Sequence, residues 1–237
     1  MKFMDYKCLE SLLIEDEEII ATEGIGSNIK SFFKSIGNTI INIIHKFIGL
    51  IGKIITFIKN KGKTIHTNKE TYLKAYRLSS EAYPILLDVI RNTYNSVEML
   101  SFSVFSINKH GSEFHGENIE HAEMTYLKVV NKFTGLKSFV GNEKLYFYKD
   151  SRDHIMKVLN DSKDRFEKTE DKVRNMIGDE MAKDVSTDNY DAQMKRANDY
   201  LNYLTKYSAL FGEVTNFVNS HVSNDIITVK DAIKHTT

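Results

Sequence analysis

From Ile25 to Ile58 the apolar residues Ile25, Ile29, Phe32, Phe33, Ile36, Ile40, Ile43, Ile44, Phe47, Ile51, Ile54, Ile55 and Ile58 recur at steps of three and four. Between them Asn28, Ser31, Ser35, Asn38, Asn42, His45, Lys46, Gly49, Lys53 and Thr56 trace the opposite stripe. This is a helical period held for roughly 50 Å at ~1.5 Å per residue. Gly62 breaks it, and Thr67 with Glu70 has the spacing of a capping box that starts a second helix.

The remaining pattern is also helical. Residues 68–108 read as one long helix or two, with Pro84 as a kink or a restart. After a polar loop at Asn108 to Asn118, a helix is expected from about 118 to a stop at Thr134-Gly135. The segment "KLYFY", Lys144 to Tyr148, suits a short strand or an aromatic plug. Residues 150–177, with charges of opposite sign at four-residue offsets, read as an exposed coiled-coil-like helix. A helix over 189–220 follows, and Asn224 or Asp225 is expected to open a short final helix. At the other end, a short amphipathic helix is expected over residues 3–21, with Phe3, Tyr6, Leu9, Leu13 and Ile20 near one face and acids opposite.

Composition agrees with an all-α class. Among 237 residues there is one Pro and no Trp, too few turn residues for an all-β fold. The expected architecture is an elongated helical bundle at 64–237, preceded by a long amphipathic helix at 24–63 and an acidic leader at 1–23. The single cysteine, Cys8, excludes an internal disulfide framework.

The formal charge is zero, yet its distribution is lopsided. Residues 1–23 hold seven acids against two lysines, net −5, whereas residues 24–69 hold eight lysines and no acid, net +8. A secretory signal is excluded, because the apolar stretch follows four consecutive acids instead of a basic region. A basic helix rich in Ile and Phe suits a membrane interface, with Ile29, Lys30, Phe32, Phe33, Lys34, Ile36, Ile40, Ile44, Lys46, Phe47, Ile51, Lys53, Ile55, Phe57 and Lys59 meeting lipid or a partner. A spanning helix must bury Lys46 and Lys53, at roughly 2.5–3.5 kcal/mol each near the bilayer centre. A third reading makes the same stripe a core or partner-binding helix. The lysines also allow non-specific contact with DNA phosphates, although the isoleucines add nothing there.

Candidate chemistry is sparse. His115, Glu117 and His121 could converge on a metal across one helix entry, but the spacing matches no zinc signature. "GLIGK", Gly49 to Lys53, lacks the spacing of a phosphate loop and lies inside the helical period. The expectation is a non-enzymatic protein without a cofactor.

At Ala21-Thr22-Glu23-Gly24 the chain resembles the sites at which prohead proteases of phiKZ-like giant tailed phages cut their virion and internal head proteins: a small residue, any residue, then Glu. The motif falls where charge and hydropathy switch. The resemblance implies cleavage after Glu23, a mature N-terminus at Gly24, and a location inside the phage head after synthesis in the host cytoplasm. It also implies other virion proteins and the protease as partners, with membrane, capsid or DNA as the target of the basic arm and an oligomer as an option. Two alternatives stand beside it. One is a membrane-acting effector or pore-former with a masking leader, and the other is a helical scaffold or adaptor with the 25–58 helix buried.

Overall fold

The computed structural model describes residues 25–60, 62–106, 119–148, 150–179 and 190–229. Five helices and three short strands alternate along them in the order α1 (Ile25–Lys59), β1 (Thr64–Thr67), α2 (Lys69–Ser106), α3 (Ile119–Val140), β2 (Leu145–Phe147), α4 (Ser151–Asp179), α5 (Tyr190–His221) and β3 (Val222–Val229). The class is all-α, as the composition implies.

The strands form one parallel sheet in the order β1-β3-β2. Since α1, α3 and α5 each run into a strand while α2 and α4 each leave one, the helices alternate in direction and the sheet closes one end of the bundle. α1 packs against α4 and α5, and α2 packs against α3, α4 and α5. One apolar core joins them all, from Phe33 and Ile58 through Tyr94 and Phe133 to Phe166 and Phe211. Residues 25–59 therefore share their core with 64–229, and the boundary expected at 63/64 divides no packing unit.

Several element ends differ from the pattern-based expectation. β3 replaces the final helix, because Val222, Ile226, Ile227 and Val229 are β-branched and the flanks of β1 and β2 lie open to them. The Asp225 carboxylate accepts the Lys63 N–H at 2.8 Å instead of capping a helix. The cap of α2 is Asn68, whose Oδ1 accepts the Thr71 N–H at 2.8 Å, one residue later than the box at Thr67. α2 continues through Pro84 as a single helix. α3 passes Gly135 and ends at Gly141, whose φ of 56° is the left-handed conformation that closes helices. "KLYFY" contains β2.

Gly62 serves the sheet. A Cβ there would lie 2.4 Å from the carbonyl of Asn224, the group that accepts the Gly62 N–H. Only a residue without a side chain lets the chain leaving α1 approach β3 this closely.

Candidate functional site

α1 carries most of the residues singled out by sequence, and its period is the one the apolar pattern gives. Phe33, Ile36, Ile40, Ile44, Phe47, Ile51 and Ile55 are buried, as are Ile41, Ile54 and Ile58. Phe32 and Phe57 are half-buried at the margin. Lys34, Lys46, Lys53 and Lys59 are exposed. Ile29 and Lys30 belong to the first turns, and their side chains lie outside the described ones. The stripe proposed for lipid is thus occupied by protein. Phe47 stacks on Phe166 of α4 with centroids 5.0 Å apart and meets Phe211 of α5 at 5.3 Å. Tyr94 of α2 closes the group, edge-on to Phe166 at 5.0 Å.

Burying those ten side chains contributes on the order of 15–30 kcal/mol, at ~1.5–3 kcal/mol each. Lipid could take over the stripe itself, but withdrawal of α1 would leave Phe166 and Phe211 uncovered. The ~1 kcal/mol that each lysine gains near anionic headgroups is small beside that loss.

On the solvent side, His45 Nε2 lies 2.8 Å from Glu170 of α4, which also takes Arg174 at 2.7 Å. Burial raises the Glu170 pKa, but hydrogen bonds from Arg174 and His45 outweigh it and hold the carboxyl below the ordinary glutamate value. None of Lys34, Lys46, Lys53 and Lys59 has a hydrogen-bond or ion-pair partner among the described residues. At the C-terminal end of α1, Arg152 of α4 donates to Ile58 O and, just past the helix, to Asn60 O at 3.2 Å. Its guanidinium lies 5.4 Å from the centre of the Phe147 ring. Nothing local in the sequence marks Arg152, since its partners are more than ninety positions away.

A cleft of about 460 Å³ opens between α2, α3 and the start of α4. Tyr83, Leu87, Tyr148 and Ile155 give it apolar walls, and Arg91, Lys132 and His154 stand with Asp88 among its polar residues. Lys132 is ion-paired to Asp88. The Ser151 hydroxyl donates to Tyr148 O at 2.8 Å and accepts from Tyr148 N at 3.0 Å. That hydroxyl is therefore engaged by the backbone both as donor and as acceptor.

Of the metal candidates, His121 is exposed on α3, whereas His115 and Glu117 lie outside the described residues. No group of three or more metal-ligating side chains occurs among the described residues. Ala21, Glu23, Gly24 and the helix expected at 3–21 likewise lie outside them. By length and composition Ser31–Lys59 could cross a membrane, a test that the core helix of a soluble protein also passes.

Compared with protein-family models, with curated proteins and with solved structures, the chain shows no significant match.

Proposed function

We propose that this protein is a non-enzymatic structural component of a phage virion: a folded helical body carried into the head behind an acidic leader that is cut after Glu23. The observation that carries this reading is the use made of α1. Its apolar stripe is the core face against α4 and α5. A cut at Glu23-Gly24 would therefore release an intact scaffold and not an arm in search of lipid. Among the readings open from sequence, this favours the scaffold or adaptor with a buried 25–58 helix over the membrane-active arm.

The charge change fits the same role. Removal of residues 1–23 turns a neutral chain into one with 30 basic and 25 acidic residues, net +5. A basic body is better suited to packing beside DNA phosphates than a neutral one, without any base-specific contact. Intact-mass analysis of purified virions tests the reading. The expected species starts at Gly24, and in a Glu23→Gln protein that species is lost. A virion-borne chain beginning at Met1, or the absence of the protein from virions, contradicts it.

A further inference from the structure

The cleft between α2, α3 and the start of α4 sorts its lining by chemistry. α3 and α4 both pack on α2, which supplies most of the lining. Tyr83 and Leu87, four positions apart and so on one flank of α2, are buried, and so is Ile155 of α4. Tyr148 adds a half-buried ring. Asp88 and Arg91 occupy the neighbouring, outer flank of α2, where Arg91 is exposed. Lys132 lines the cleft from α3 and the exposed His154 from α4. The depth of the cleft is therefore apolar and its rim is polar.

The charges at that rim do not cancel. Asp88 is the one carboxylate among the lining residues, and it is committed to Lys132. Arg91 and the His154 side chain have no hydrogen-bond or ion-pair partner among the described residues. Arg91 and Lys132 against Asp88 leave the lining at +1 with His154 neutral. An unpaired cation on an open surface is ordinary, but at the mouth of an apolar cleft it is a binding group. A guanidinium presents planar, forked donors that match the oxygens of a carboxylate or phosphate. The cleft volume of about 460 Å³ also falls in the range of small-molecule sites, roughly 300–1,000 Å³.

We propose that this cleft binds a small amphiphilic anion: a single carboxylate or phosphate on an apolar body. Arg91 holds the head, with His154 as a second donor at the rim, and the body lies against Leu87, Ile155 and the rings of Tyr83 and Tyr148. Lys132 contributes less, because Asp88 already neutralises it. Aromatic acids and fatty acids share this chemistry. The site belongs to the folded body, so it does not depend on whether the chain is cut after Glu23.

Isothermal titration of the full-length chain with 2-naphthoate and with octanoate tests this, against the neutral alcohols 2-naphthalenemethanol and octanol. At least one acid should bind about tenfold more tightly than its alcohol, the difference made by a hydrogen bond to a charged group. Inorganic phosphate, a head without a body, should bind more weakly than that acid. The tighter of the two acids tells an aromatic from an aliphatic source. Arg91→Gln should abolish the preference for acid over alcohol. Asp88→Asn removes only a surface ion pair and frees Lys132, so it should tighten the acid about threefold to fivefold, a gain that a misfolded variant cannot produce. Lys59→Gln, outside the cleft, should change nothing. Acids and alcohols bound equally, no binding of either acid, or Arg91→Gln and Asp88→Asn proteins that bind like the native chain would overturn the assignment.

Discussion

Phe47 is where four helices meet. Its ring lies parallel to Phe166, at 12°, and Tyr94 meets the far partner edge-on at 83°. Offset-parallel and edge-to-face pairs both set the positive rim of one ring against the negative face of another, which fixes ring orientation as well as burying area. Arg165 completes the arrangement with its guanidinium 4.1 Å from the centre of the Tyr94 ring. The Tyr94 phenol is pushed up to about 12, by burial first and then by the hydrogen bond and charge of Glu98. A raised tyrosine pKa stabilises the fold fully below pH 10, the unperturbed value, and that contribution fades as pH climbs through about 12, because the unfolded chain ionises first. Urea denaturation from pH 9 upward should therefore show native stability falling more steeply than that of Tyr94→Phe, by up to ~1.36 kcal/mol per pH unit. Parallel pH profiles would show that Tyr94 ionises as freely in the folded protein as in the unfolded one. Phe47 was legible in the sequence as one position of an apolar stripe, but its partners Phe166 and Phe211 are brought to it only by tertiary packing.

At the scale of elements, the sequence marked helices well and their ends poorly. Amphipathic periodicity is a property of many residues at once, so α1, α2, α4 and α5 survive errors at any one of them. A cap depends on one residue and its local geometry. Asn68 and Thr67 are neighbours of similar capping strength, and only the backbone decides between them. Gly135 and Gly141 are both plausible helix stops, yet Gly135 sits exposed inside α3 with open space where a Cβ would project. The sheet was the least legible part, because Thr64 pairs with Ile226 across 162 residues and no short window contains both. Two glycines give opposite outcomes on this account. Gly135→Ala should stabilise by about 0.5–1 kcal/mol, the helix-propensity gain of alanine. Gly62→Ala should cost roughly 1–3 kcal/mol, since its Cβ would meet the Asn224 backbone and overpacking of that kind forces the chain to move. Thermal or urea unfolding of the two variants decides it, and a Gly62→Ala protein as stable as the native one would mean that β1 and β3 do not approach as closely as described.

For the whole molecule, the feature that misled was the absence of acids along α1. Bundle helices ordinarily mix charges on the solvent side, so an acid-free isoleucine helix of this length suggests lipid. The structure answers with a different division of labour: the apolar stripe builds the core, Arg152 closes the helix end, and the lysines face solvent. The candidate scissile bond is proposed because charge and hydropathy both change there, whereas the destination of the basic segment was not legible, since it depends on α4 and α5, more than ninety residues away. The proposed function assumes that α1 belongs to the body. Hydrogen exchange on the full-length chain, without lipid, measures that most directly. Amides from Ile36 to Ile58 should fall in the slowest-exchanging class together with those of α5, because releasing them requires opening the shared core. Fast exchange of α1 in water, slowed only by liposomes, would contradict the account and return this helix to the membrane.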